Sequence, residues 1–223
     1  MLASNKKAAL DLLVHHVVNR SASRLFKGQS FFLGGSSELV QETPGVYSGD
    51  LSGIVSKTTP FWAKPFFFPP PRLALLKNWE EKIDRLAKES LRREIRLLSG
   101  VPSWLLILLR KLFELRPEAR EKIAGVYPEL ELLAHGGVNF APYRKQFEEL
   151  LEGGHAELRE VYPASEGFIA SADKGPDDGL RLNSDHGIFY EFVPLEELTS
   201  ETPVRHWAGT IETGVNYAVV MTT

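Results

Sequence analysis

Two short clusters hold the residue types best suited to chemistry in this sequence. The first is His135-Gly136-Gly137-Val138-Asn139-Phe140, and the second is Tyr162-Pro163-Ala164-Ser165-Glu166-Gly167. Glycine lets a planar base or a phosphate approach the main chain, because no Cβ intervenes. The backbone N–H groups of Gly136, Gly137 and a following helix start would cradle an anion. In the second cluster, Tyr162 offers a flat face for stacking and Ser165 a hydroxyl for a phosphate oxygen. Glu166 offers a hard carboxylate for Mg²⁺ bound together with that phosphate, the usual way the ion is held. Each feature alone has a plainer reading, since most Gly-Gly pairs are turns and most Ser-Glu pairs are surface. Their conjunction carries the argument.

The elements that must position these clusters are legible around them. Leu130, Leu132 and Leu133 read as a strand running into His135, and Leu158 to Tyr162 read as a second strand. Between them Tyr143, Phe147, Leu150 and Leu151 recur at helical spacing. Asn139 is expected to cap that helix, with Pro142 in its first turn, and Gly153-Gly154 to end it. A βαβ-like unit of this kind opens both loops at one edge of a sheet, outside the carboxyl ends of its strands, where ligands bind in open α/β sheets. The stretch from Glu129 to Gly167 therefore reads as half of a nucleotide site.

Before this unit, Ser4 is expected to cap a helix to about Arg20 with Leu10, Leu13, Val17 and Val18 facing inward. Phe31-Phe32-Leu33 reads as a buried strand ending in Gly34-Gly35-Ser36-Ser37, a tight turn or a phosphate cradle that lacks the lysine and spacing of a P-loop. Residues 44–72, rich in Gly, Pro and aromatics, show no period and read as a long irregular connection. Asn78-Trp79-Glu80-Glu81 has capping-box form and opens a helix expected to reach about Leu97. Trp79, Ile83, Leu86 and Leu91 mark its inner face, with Lys82 among the solvated residues. Ser103 is expected to cap a buried helix from Trp104 to Leu115, followed after Pro117 by a short helix from Glu118 to Ile123. Beyond Gly167 the texture is antiparallel β: Phe168 to Ser171, Leu180 to Leu182, Ile188 to Val193 and residues 215–222, with a turn over Lys174 to Gly179. The fold class is thus α/β, a mostly parallel sheet flanked by helices over 1–167 and antiparallel strands over 168–223, in a single domain.

Composition narrows the function classes. The chain has 223 residues, 43% hydrophobic and 25% charged, with a net charge of −3 and no cysteine. That excludes disulfides and thiolate metal sites and leaves no basic footprint for nucleic acid. The most apolar run, Trp104 to Leu109, is far shorter than the ~20 residues that span a bilayer. The N-terminus lacks a signal-peptide core, and a cytoplasmic location is expected. The six histidines show no metal-ligand spacing. Pro163-Ala164-Ser165-Glu166-Gly167 comes within one residue of a nucleophile elbow, with Asp185 and His206 downstream. That elbow must lead into a helix, whereas Phe168-Ile169-Ala170 reads as strand. A serine hydrolase is therefore the weaker enzymatic reading. A non-catalytic interaction domain using the aromatic region from Trp62 to Phe68 is the alternative of another class.

The stretch from His135 to Tyr143 and the stretch Val161-Tyr162-Pro163-Ala164-Ser165-Glu166-Gly167 resemble bacterial members of the auxin-responsive Gretchen Hagen family of acyl acid-amido synthetases. Ser-Gly-Val-Pro-Ser-Trp at 99–104 and Phe-Tyr-Glu-Phe-Val-Pro at 189–194 are similar to the same family. The resemblance spans the chain from about Phe31 onward, and Tyr162-x-x-Ser165-Glu166 is its most specific element. It implies the large N-terminal α/β domain of an adenylate-forming enzyme and ATP- and Mg²⁺-dependent adenylation of a small carboxylic acid. An amino acid or other amine then attacks the acyl-adenylate, giving an amide and AMP. Carried over by residue, Tyr162 and Ala164 lie against the adenosine, Ser165 lies near the α-phosphate, and Glu166 holds Mg²⁺. His135, Gly136 and Gly137 form part of the wall around nucleotide and acyl group. Trp104, Asn139 and Phe140 are the candidate substrate contacts.

The family's Ser/Thr/Gly-rich phosphate loop and its later ribose-binding motif have no counterpart in the sequence. The expectation is an internal fragment of an amide synthetase that does not turn over alone. The identity of acid and amine and the oligomeric state stay open.

Overall fold

The computed structural model describes residues 2–35, 39–49, 51–173 and 179–222. Its centre is a seven-stranded sheet in the order β4-β1-β5-β6-β7-β8-β9. The strands are β1 (Gln29–Leu33), β4 (Phe67–Phe68), β5 (Ile95–Gly100), β6 (Leu132–Gly136), β7 (Glu157–Pro163), β8 (Phe168–Ser171) and β9 (Arg181–Leu182). From β4 to β7 all neighbours are parallel; β8 and β9 continue antiparallel. The α/β class expected from the sequence, with a mostly parallel sheet giving way to antiparallel strands from Phe168, is the one observed.

Parallel strands need helical crossovers, which cover both faces of the sheet and leave the central strands apolar on both sides. Ile95-Arg96-Leu97-Leu98 at the start of β5 is buried throughout. Alternation then divides its side chains between two cores. Leu97 and Leu132 meet Leu13 and Val17 of α1 (Leu2–Val18) on one face. Leu98 and Leu133 join the larger core on the other face. Ile83 and Leu86 of α4 (Trp79–Ser90), Leu105, Leu108 and Leu112 of α5 (Pro102–Leu115), Ile123 of α6 (Ile123–Val126) and Phe147 of α7 (Arg144–Leu151) complete that core. A third core of Ile169, Ala170, Ile188, Tyr190 and Phe192 joins β8 to the separate hairpin of β10 (Phe189–Pro194) and β11 (Tyr217–Thr222).

Several boundaries differ from the sequence expectation. α1 begins at Leu2, so Ser4 lies inside it, and its buried positions are Ala8, Leu12 and His16, while Leu10 and Val18 face outward. α4 stops at Ser90, and residues 95–98 form strand β5 because the sheet buries them on both faces. α5 starts at Pro102 with Val101 as its cap residue, two residues earlier than a Ser103 cap gives. In place of one helix from Glu118 to Ile123 there is a 3₁₀ turn over Pro117–Ala119, a left-handed pair Arg120-Glu121, and then α6. Residues 44–72 are not irregular. They hold β3 (Val46–Gly49), which pairs with β2 (Leu39–Thr43), then α2 (Leu51–Thr58), β4 and the start of α3 (Pro71–Ala74). Ser36, Ser37 and residues 174–178, named above for two turns, lie outside the described residues.

Candidate functional site

Because β1, β5, β6 and β7 run parallel, their carboxyl ends at Leu33, Gly100, Gly136 and Pro163 share one edge of the sheet. The β6 and β7 loops therefore open side by side, as the βαβ reading requires.

His135 is the penultimate residue of β6, just before the loop, and is 1% exposed. Its imidazole stacks on Phe140, centroids 3.6 Å apart with 21° between planes. Phe140 in turn packs on Phe147 at 5.6 Å, and the Arg144 guanidinium stands 5.7 Å from its ring. Burial, reinforced by the charge of Arg144, lowers the His135 pKa from 6.5 to about 4, so the ring is neutral near pH 7. Its Nδ1 is buried and meets no hydrogen-bonding partner among the described residues. Asn139 does not cap α7, which starts five residues later. Its Oδ1 accepts a bond from the Ala141 N–H at 3.0 Å, an Asx turn. The Phe140 carbonyl then accepts from the N–H groups of Tyr143 and Arg144 at 2.8 and 3.2 Å, which sets the ring over His135.

The two glycines of this loop have different jobs. A Cβ on Gly136 would fall 2.1 Å from the Val161 carbonyl oxygen and 3.1 Å from Pro163 Cδ. Glycine is required there by the close approach of β7. Gly137 is exposed, adopts φ +86°, and a Cβ there would meet only Val101 Cγ2 at 3.6 Å. Of the pair, Gly137 is the one whose backbone faces open space.

On β7, Tyr162 is 51% exposed. The chain then reverses through a turn closed by two backbone bonds, Ala164 N–H to the Gly167 carbonyl at 2.8 Å and Gly167 N–H to the Ala164 carbonyl at 3.2 Å. Ser165 and Glu166 are its exposed central residues. Gly167 is buried, and a Cβ there would strike Ile188 Cδ1 at 2.3 Å. This hairpin leads into strand β8, so Ser165 does not sit on a strand-to-helix elbow. Asp185 pairs with Lys7 at 3.2 Å, and His206 is bridged through its backbone to Phe192. The hydrolase reading has no assembled triad.

Trp104, at the start of α5, stands farther along the same edge. Its ring packs on Trp79 at 5.6 Å and lies so close over Gly35 that a Cβ there would approach Trp104 Cη2 to 2.5 Å. It follows β5, two strands from β7, which puts it ~10 Å along the edge from the Tyr162 hairpin. His135, Phe140 and Asn139 lie between. The sequence reading missed Lys82. It is 2% exposed, and its amine donates to the Gly35 carbonyl at 2.6 Å. The signal was present, because 79, 82, 83, 86 and 90 form one helical stripe.

Among the described residues no group of three or more His, Cys, Asp or Glu side chains converges as a metal site. Glu166 has no ion-pair partner among them. An exposed, unpaired carboxylate at this edge fits Mg²⁺ in one respect. That ion is commonly held by one or two carboxylates with phosphate oxygens and water completing the shell.

The family model described as the GH3 family N-terminal domain matches residues 14–155. The chain belongs to the GH3 family. The matched stretch includes the His135–Tyr143 loop and stops short of the Tyr162–Gly167 hairpin. Among solved structures, the GH3.15 acyl acid amido synthetase superposes with a TM-score of 0.68 at 12% identity, over 100% of this chain and 48% of that one. This GH3 domain thus spans about half the length of that structure and shares its fold. The crystal structure of CmiS6 aligns at 23% identity over 55% of this chain and 28% of its own, with a TM-score of 0.34. No curated protein matches the chain. Among the described residues no helix is long and apolar enough to cross a membrane.

Proposed function

We propose that this chain supplies the base-and-metal side of the nucleotide site in a cytoplasmic, ATP-dependent acyl acid amido synthetase. One observation carries the reading. In a GH3-family domain, the exposed Tyr162, Ser165 and Glu166 of the β7–β8 hairpin and the exposed Gly137 of the β6 loop open at one edge of a parallel sheet. In this reading Tyr162 and Ala164 pack on the adenosine, Ser165 donates to the α-phosphate, and Glu166 holds Mg²⁺. His135 and Gly136 stand behind the Gly137 backbone as the wall. Mg²⁺ would neutralise charge on the phosphates and on the departing diphosphate.

The reaction has two displacements. A carboxylate oxygen of the acid attacks the α-phosphorus and diphosphate leaves, giving an acyl-adenylate. The amine of an amino acid or a similar nucleophile then attacks the acyl carbon, loses a proton and expels AMP. Trp104, Asn139 and Phe140 are the side chains of this edge assigned to the acid and amine. The name of the GH3.15 relative supports that substrate class. The phosphate-gripping and ribose-binding motifs are not among these residues, so the reading gives nucleotide binding without turnover by this chain alone.

ATP titration by calorimetry tests the proposal. Saturable binding that requires Mg²⁺ and weakens strongly in Glu166→Ala is expected. Equal binding with and without Mg²⁺, or an unaffected Glu166→Ala chain, would discard the metal role. Ester cleavage without ATP, abolished by Ser165→Ala, would instead revive the hydrolase reading.

A further inference from the structure

A concavity stands at the opposite edge of the sheet from the Gly136 and Pro163 loops. It is an open basin of about 530 Å³ lined by Arg72, Glu89, Arg92 and Arg93. It forms where the start of α3, the last turn of α4 and the turn entering β5 meet. Glu89 holds Arg72 through two bonds, Nη2 to Oε2 at 2.7 Å and Nη1 to Oε1 at 3.1 Å. That fork fixes one guanidinium in the wall. The adjacent Arg92 and Arg93 are exposed and have no ion-pair partner among the described residues. Arg20, Arg85, Arg96 and Arg181 are seated on Glu157, Glu81, Glu131 and Asp173. Arg24, Arg110 and Arg120 are exposed like Arg92 and Arg93, but they do not line the basin.

The plain explanation for Arg92 and Arg93 is that cations favour a helix C-terminus. It does not account for Arg72, which comes from a different helix and converges on the same basin. Three guanidinium groups face one carboxylate, leaving two positive charges unbalanced in a protein whose net charge is −3. The volume lies within the roughly 300–1,000 Å³ of small-ligand sites. Guanidinium forks bind phosphate oxygens in pairs, and two neighbouring forks match a ligand carrying two such groups.

We propose that this basin is a binding site for a diphosphate group, either free diphosphate or the diphosphate of a nucleotide. Arg92 and Arg93 grip the anion, and Arg72, in competition with Glu89, completes the wall. The proposal is independent of the role given to the Gly136 edge.

The test is titration of the whole chain with inorganic diphosphate and, separately, with ADP, without added Mg²⁺. Binding is followed by calorimetry and by the arginine side-chain NMR signals of residues 92 and 93. Saturable binding that moves those signals is expected. It should weaken roughly tenfold or more in the double variant Arg92→Ala/Arg93→Ala. Glu89→Gln, which removes the competing charge at constant shape, should tighten it several-fold, and Glu166→Ala should leave it unchanged. Binding of both ligands assigns a nucleotide diphosphate, and binding of inorganic diphosphate alone assigns the free anion. No saturable binding, or affinity unchanged in a double variant whose circular dichroism shows it folded, overturns the site.

Discussion

His135 lies flat beneath Phe140, its ring 3.6 Å from the phenyl centroid and sealed from solvent. A stacked imidazole in such a place cannot easily take a proton, and the lowering of its pKa from 6.5 to about 4 follows from burial first and from Arg144 second. The unfolded chain therefore binds this proton more tightly than the native one. Stability associated with the neutral ring is complete above pH 6.5 and is lost as pH falls towards 4. The span is worth about 3 kcal/mol. Urea unfolding from pH 7 to pH 4 should show that slope, and His135→Phe should flatten it. An equal slope in both chains would place the proton elsewhere.

Alanine should cost stability at both Gly136 and Gly137, for different reasons. At Gly136 a Cβ would lie 2.1 Å from the Val161 carbonyl oxygen, so β6 and β7 must separate. Overpacking of this kind costs about 1–3 kcal/mol or more. At Gly137 the space is open and only the left-handed backbone is strained, at about 1–2 kcal/mol. Denaturant midpoints order the two variants, and nucleotide affinity should suffer more per unit of lost stability at Gly137.

Lys82→Met should destabilise the chain by about 1–3 kcal/mol, because the Gly35 carbonyl loses the buried donor at 2.6 Å. Trp104 lies over Gly35 and packs on Trp79, so their fluorescence should shift in the folded variant. A variant with unchanged stability and emission would show that Lys82 does not hold Gly35.

Glu131 is buried among donors. Ser23 Oγ reaches Oε2 at 2.5 Å, the Arg24 N–H reaches Oε1 at 2.9 Å, and Arg96 Nη1 reaches Oε1 at 2.7 Å. Burial alone would raise its pKa, but these bonds outweigh burial and leave it below the usual 4.5. A depressed carboxylate stabilises above that value, and its contribution is lost as pH falls below it. Glu131→Gln removes one of three carboxylates on Arg96, which keeps Glu94 at 2.6 Å and Glu129 at 2.8 Å. Its stability at pH 7 should fall by about 1–3 kcal/mol, the cost of weakening charge-assisted bonds at a buried carboxylate, measured by thermal or urea unfolding.

Ser165→Ala and Glu166→Ala should leave the unfolding midpoint unmoved. Both side chains are exposed at the tip of a turn closed by backbone bonds. Nucleotide binding should weaken nonetheless, most of all for Glu166→Ala in the presence of Mg²⁺. A large loss of stability would mean that the tip serves the fold rather than a ligand.

The βαβ unit was legible because its apolar runs are bounded by glycine pairs and its helix shows a clean 3.6-residue stripe. Ile95 to Leu98 was not, since a short apolar run fits a buried strand and the tail of a helix equally well, and only sheet neighbours decide. Lys82 reads as solvated because its charge outweighs its position on the inner stripe. Residues 44–72 read as a loop from their Pro, Gly and aromatic content. β3, which pairs with β2 just before this stretch, and α2 within it are set by partners that no local period announces. Gly136 reads as a ligand contact from its place in the loop, and its neighbour across the sheet adds a packing requirement of its own. That neighbour is invisible in a linear reading.

The β7–β8 turn has a further meaning for how such a protein changes over time. Its shape is maintained by main-chain bonds between Ala164 and Gly167 and by the fit of Gly167 against Ile188. The two side chains at its tip bear none of that burden. Residues 165 and 166 are therefore a place where selection can try new ligands on an unaltered scaffold, whereas position 136 admits no such trial.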